Sequence, residues 1–270
     1  MCLIVIAIQS HPIYPLVIAA NRDEFYHRPT APLDFWKDHG NVMTDVLAGR
    51  DLQGQGTWLG VTKTGRFAAI TNYRDPKAID PQAISRGLLV SNFLESDLAA
   101  EAYLQTIADS DKKYNGFNLV VGHLLDAEGR LSPALWWYSN KKNKILKITT
   151  GIHAVSNHLL NTPWPKIRKA AGGIRNILAE QNPIDPERIF TLMADTERPP
   201  DAELPNTGVG LEWERILSSV FVTSPTYGTR STAVILADRS GHLTFYERAF
   251  KSGVEPPAME AARKFDIRLK

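Results

Sequence analysis

Strand-like segments stand at both ends of this chain with helix-like segments between them, and that order constrains the fold more than any single motif. Residues 2–8 (CLIVIAI) and 16–20 (LVIAA) are apolar and β-branched, and the intervening QSHPIYP carries Pro12 and Pro15. The spacing predicts an N-terminal β-hairpin. Residues 21–56 are rich in Pro, Gly, Asp and Asn and read as a long, sparsely regular loop. Two strands are expected over 57–62 and 66–73, joined at Thr64-Gly65, and a helical region from Ser85 with a restart at Ser96-Asp97. A second group of strands fills 117–157, with the basic run NKKNKILK (140–147) read as a solvated hairpin turn inside it. Two helices follow, the second with Asp185 as cap and Pro186 at its first position. The stretch 195–217 reads as irregular, and SVFVTS, STAVILAD and HLTFYERAF read as closing strands. Neither half closes a sheet alone, so the pattern predicts a single domain over 1–270. Strands in consecutive groups favour α+β with antiparallel sheets over a doubly wound fold.

Composition narrows the function classes. At 270 residues with 43% hydrophobic and 22% charged side chains, this is an ordinary globular composition. The longest apolar runs near the start fall well short of the ~20 residues that span a bilayer, so no membrane span is expected. No basic segment or small-residue cleavage site marks a secretory signal. The single cysteine rules out an intramolecular disulfide framework and suits a reducing compartment, so the expected location is the cytoplasm. Thirty-one basic against 29 acidic residues gives a net charge of +2, which offers no electrostatic case for a nucleic-acid partner.

Several motifs fail on spacing. Gly54, Gly56 and Gly60 precede a strand instead of joining a strand to a helix, so they make no phosphate loop. No G-x-S-x-G elbow is present. His153 and His158 do not fall on one face and are joined by no Cys/His ligand pair, so no metal site is expected.

What survives is the position of that cysteine, Cys2. If Met1 is removed, Cys2 carries a free α-amine with a pKa of about 7.7–8.0, and one residue then supplies both nucleophile and base. NRDEF (21–25) ends the strand expected to pair with that of Cys2. Asn72 (ITNY) and Asn157 (VSNH) stand at strand ends, where a carboxamide N–H can face a developing oxyanion or simply close a turn.

Together MCLIVIA, AANRDEF, GTWLGV, GIHAVSNHLLNTPWPK and FVTSPTYGTRSTAVIL resemble the NRDE protein family, the family of transport and Golgi organization protein 2, from residue 1 to about 248. That family is in turn similar to N-terminal nucleophile hydrolases of the choloylglycine hydrolase and penicillin V acylase type. The resemblance implies a four-layer αββα sandwich and, as catalytic residues, Cys2 as nucleophile, Asn72 and Asn157 as the first and second oxyanion asparagines, and Arg230 as the late arginine. Within Asn21-Arg22-Asp23-Glu24 the arginine and acid fall in a register different from that branch. Arg22 and Asp23 are carried over as catalytic candidates, and Asn21, Glu24 and Trp58 as substrate-binding ones. The expected chemistry is acyl transfer on an amide or thioester without a cofactor. The alternative is a non-catalytic carrier of a haem-like or acyl-CoA-type ligand on the same scaffold, its cleft lined by Trp58, Trp136, Trp137 and Tyr138.

Overall fold

The computed structural model describes residues 2–37, 43–251 and 258–270. Two antiparallel sheets lie face to face. The first runs in the order β10 (Gly151–Val155), β1 (Cys2–Ile8), β2 (Leu16–Phe25), β11 (Tyr227–Ala237), β12 (His242–Phe250) and β13 (Met259–Arg268). It draws strands from both ends of the chain. The second runs in sequence order: β3 (Thr30–Lys37), β4 (Met43–Asp51), β5 (Leu59–Thr62), β6 (Arg66–Asn72), β7 (Phe117–Leu125), β8 (Leu131–Ser139) and β9 (Lys144–Lys147).

β1 shows why its sequence is apolar at every position. Ile4, Ile6 and Ile8 face the other sheet and pack with Phe67, Val120 and Trp137. Leu3, Val5 and Ala7 face outward, under α3 (Pro165–Ala179) and α4 (Pro186–Met193). A strand buried on both faces cannot alternate apolar with polar. Truncating one such residue, as in Ile6→Ala, costs about 2–5 kcal/mol. The second sheet is covered in the same way by α1 (Gly87–Glu95) and α2 (Ala100–Ala108), with Phe93 and Leu104 on Ala68, Leu119 and Val121. The layers are therefore αββα, the sandwich the resemblance implied. The cap of α4 is as expected: the Asp185 carboxylate accepts the Glu187 N–H at 2.9 Å behind Pro186. Among the described residues no helix is long and apolar enough to cross a membrane.

Three expectations need correction. The stretch 21–56 is not a long loop: β2 continues through NRDEF to Phe25, and β3 and β4 follow. Pro32 is tolerated because β3 is the edge of its sheet and the register shifts between Ala31 and Asp34. Residues 219–224 form no strand. Their apolar side chains are buried, but their backbone is engaged elsewhere, with Phe221 N–H on the Asp195 carbonyl and the Val220 carbonyl taken by Asn21. Residues 195–217 include a short helix, α5 (Leu211–Ile216), and the chain adds the charged edge strand β13.

Candidate active site

Cys2 opens β1 and pairs across to Arg22 of β2. It shares the face of Ile4 and Ile6, so its thiol points between the sheets where the sandwich ends. There a cleft of about 340 Å³ is lined by Cys2, Arg22, Asp23, Glu24, Trp58 and Asn72 together with Arg28, Asp51 and Arg86. Cys2 is half-buried, and burial pushes its thiol pKa up; Asp23 adds to the rise and Arg22 opposes it.

Arg22 is fixed on two sides. Its guanidinium lies 4.3 Å over the Trp58 ring, and Nη1 donates to Thr30 Oγ1 at 3.1 Å. Trp58 reaches this place because a Cβ at Gly49 would collide with its ring. Asp23 is buried, accepts the Thr229 hydroxyl at 2.7 Å, and takes the Tyr227 hydroxyl on its carbonyl at 2.9 Å. Burial raises its pKa, and the charges of Lys166 and Arg74 oppose that rise.

The two asparagines differ. Asn72 lines the cleft, and among the described residues its carboxamide makes no hydrogen bond, so it is available to a ligand. Asn157 is 0% exposed and its carboxamide is spent. Its Nδ2 donates to the Asn72 carbonyl at 3.1 Å, while Oδ1 accepts from Arg74 Nη2 at 3.3 Å and Lys166 Nζ at 3.5 Å. The Ser156 hydroxyl lies 3.0 Å from the Cys2 carbonyl and 3.1 Å from Asn157 Oδ1, and its one proton serves one of them at a time. Asn157 thus holds the Asn72 strand end in position. Asn118 and Thr71 seal the same corner through the carbonyls of His158 and Ser156.

Asn21 and Arg230 lie apart from this group. The Asn21 side chain donates to the Met193 and Val220 carbonyls at 2.8 and 2.9 Å and accepts from Thr232 at 2.6 Å, which leaves nothing for a substrate. Arg230 is the extra residue of a β-bulge: Thr229 pairs with Asp23 and Ser231 with Arg22. Its Nη1 donates to the carbonyls of Phe25, Tyr26 and Arg28, each at 3.1 Å, and so clamps the turn after β2. Glu24 stays at the cleft, with Oε1 on the Phe25 N–H and Oε2 3.8 Å from Arg28. Of the candidate aromatics, Trp58 lines the cleft, Trp137 belongs to the core between the sheets, and Trp136 and Tyr138 pack with the cluster under α1 and α2.

Sequence reasoning missed the charged layer beneath the site. Arg74 pairs with Glu214 at 2.6 Å, both buried, and Glu214 also accepts the Thr207 N–H and hydroxyl at 2.6 Å each. Lys166, 3% exposed, has its pKa lowered to about 8 by burial, a fall that Asp23 opposes and Arg74 deepens. One local signal could have marked it. A lysine in the first turn of α3 opposes the helix dipole, and such a placement calls for a nearby acid.

The family pattern described as Transport and Golgi organisation 2 matches residues 1–252. The chain is 33% identical to the Transport and Golgi organization 2 homolog of Mus musculus over 264 residues, covering 92% of this chain and 93% of that protein. It is 34% identical to the Homo sapiens homolog over 261 residues, with the same coverage. A Cys-to-Ala mutant of conjugated bile acid hydrolase from Clostridium perfringens shares the fold with a TM-score of 0.52, at 10% identity, over 98% of this chain and 92% of that one.

Proposed function

Because this chain belongs to the Transport and Golgi organisation 2 family and has the N-terminal nucleophile hydrolase fold, we propose that it is an amidase or thioesterase acting through Cys2 once Met1 is removed. The observation that carries the reading is one cleft lined by Cys2, Arg22, Asp23 and Asn72, in which the Asn72 carboxamide makes no hydrogen bond among the described residues.

Each group has a task. The α-amine freed on Cys2 accepts the thiol proton, directly or through a water. The thiolate sulfur attacks the substrate carbonyl carbon, and the carbonyl oxygen becomes an oxyanion that accepts from the Asn72 carboxamide. On collapse the C–N or C–S bond breaks, and the leaving amine or thiol takes the proton from the α-ammonium. Water then attacks the thioester, gives a proton to the amine, and releases the carboxylic acid and the thiol. Arg22 favours the thiolate, and Lys166 offsets the charge of Asp23. A thiol nucleophile has to stay reduced, which favours work in the cytoplasm.

The carrier reading, with a haem-like or acyl-CoA ligand, has less support. The cleft is walled mainly by charged and polar side chains, with Trp58, Ile70, Pro81, Ala83 and Ile84 as its apolar members, whereas pockets for large apolar ligands are lined predominantly by hydrophobic groups. Intact-mass measurement followed by trapping with an activated acyl thioester tests the choice. The proposal expects loss of Met1 and one acyl group on the N-terminal peptide, absent in Cys2→Ala. Full retention of Met1, or acylation that survives Cys2→Ala, overturns it.

A further inference from the structure

Three arginines line the cleft, and they are not equivalent. Arg28 is neutralised, with Nε and Nη2 each 2.8 Å from Asp51 Oδ2 and Glu24 3.8 Å away. Arg22 is stacked on Trp58 and bonded to Thr30. Arg86 has only the Gly116 carbonyl, which Nη1 meets at 3.0 Å, and among the described residues no carboxylate pairs with it. A guanidinium has five N–H donors, so most of this one's capacity is unused.

Arg86 is nevertheless rigidly mounted. A Cβ at Gly56 would collide with the backbone of Gly87, so the 54–57 turn and the 85–87 segment touch main chain to main chain. The Thr57 N–H donates to the Gly87 carbonyl at 3.3 Å, and the Gly116 carbonyl holds the other end of the arginine. The guanidinium is partly withdrawn from water, and the charges of Glu24 and Cys2 are the ones that favour its protonated form most. A partly desolvated cation in the same cleft as the Cys2 thiol, with no carboxylate in ion-pair contact among the described residues, is arranged to receive an anion from outside.

We infer that the acyl compound handled at Cys2 bears an oxyanion, a carboxylate or a phosphate, seated on Arg86. The inference rests on Cys2 being the reacting group. It narrows the substrate from amides and thioesters at large to small anionic ones that fit about 340 Å³.

Iodoacetate and iodoacetamide are near-isosteric alkylating agents that differ in charge, so their rates at Cys2 in the full-length protein read the anion preference without requiring turnover. The ratio of iodoacetate to iodoacetamide rate is expected to exceed that for free N-acetylcysteine about tenfold, the low end of electrostatic focusing in a charged cleft. Arg86→Met is expected to return it to the free-thiol value, and Arg86→Lys to keep part of it. An enzyme ratio equal to that of the free thiol, or unchanged in a folded Arg86→Met, overturns the inference. Should Arg86→Met not fold, protection of wild-type Cys2 decides. Benzoate or phenyl phosphate shielding it better than benzamide supports the inference and identifies the anion, and equal shielding by all three overturns it. A Cys2 inert to both alkylators defeats the hydrolase reading and this inference together, a pattern distinct from fast alkylation without charge preference, which defeats the inference alone.

Discussion

Asn72, the last residue of β6, and Asn157, two residues past the end of β10, are the same residue type in similar places, and the structure gives them opposite work. Asn72 leaves its carboxamide free in the cleft while its backbone carbonyl is held; Asn157 does the holding, with both ends of its carboxamide committed inside the protein. The difference comes from what surrounds each one. Around Asn157 lie Arg74 and Lys166, buried cations that need an acceptor, whereas Asn72 borders open space. A strand-end asparagine is therefore assigned by whether its hydrogen-bonding capacity is already used, and the two can be separated by experiment.

The sharpest break is Asn157→Leu. It leaves two buried cations short of an acceptor and the Asn72 carbonyl without its donor, and losing a partner of buried charged groups costs about 3–5 kcal/mol. Denaturant unfolding is expected to show that loss in the midpoint. If Asn157→Leu unfolds like wild type, Asn157 is not the structural member of the pair. Asn72→Ala has the converse signature. It removes a donor with no partner among the described residues, so stability stays within about 0.5 kcal/mol. The acylation rate at Cys2 falls about 10²–10³-fold, the usual effect of deleting one oxyanion donor. Single-turnover acylation beside a denaturant curve separates the two, and an unchanged rate in Asn72→Ala removes it from the oxyanion site.

This contrast also explains what was legible beforehand. β1 could be read because a strand buried on both faces is apolar throughout, and α4 because Asp185-Pro186 is a local cap. β3 and β4 were hidden by Pro32, Gly49 and their acidic neighbours, whose strand state depends on pairing with β5 and on an edge position that no local window contains. At the site, Cys2, Arg22 and Asp23 share a hairpin, so the sequence alone placed them together. Glu214, 140 residues from Arg74, and Arg86, on the segment before α1, reach the site only through the tertiary fold. The commitment of the Asn157 carboxamide was invisible for the same reason.

The charged layer that distinguishes the two asparagines has its own pH signature. Lys166 titrates near 8 in the folded protein against an ordinary 10.5. Between those values the unfolded chain binds more protons, so stability rises with pH across that window, by about 3 kcal/mol for this group alone. Below about pH 8 both states are protonated and the contribution is flat. Asp23, Arg74, Cys2 and Glu214 face the same ammonium, so the measurement is the wild-type unfolding free energy minus that of Lys166→Met from pH 7 to 10.5. The difference is expected to climb through the window. Parallel curves would mean that Lys166 is solvated and that Asn157 answers to Arg74 alone.

The smallest effect is expected at the link between the two strand ends and the nucleophile. The Ser156 hydroxyl can donate to the Cys2 carbonyl at 3.0 Å or to Asn157 Oδ1 at 3.1 Å. Two cations already serve that oxygen, whereas among the described residues the Cys2 carbonyl has no other side-chain donor, so the Cys2 bond is favoured. Ser156→Ala then costs about 1 kcal/mol of stability, the net value of one neutral hydrogen bond. It also loosens the residue carrying the thiol, so Cys2 acylation is expected to slow severalfold while remaining well above that of Asn72→Ala. Double-mutant cycles of Ser156→Ala with Asn72→Ala and with Asn157→Leu resolve where the proton goes. Rate coupling with Asn72 alone assigns it to Cys2 and joins Ser156 to the reacting side of the comparison. Stability coupling with Asn157 alone assigns it to the carboxamide and moves Ser156 to the scaffold.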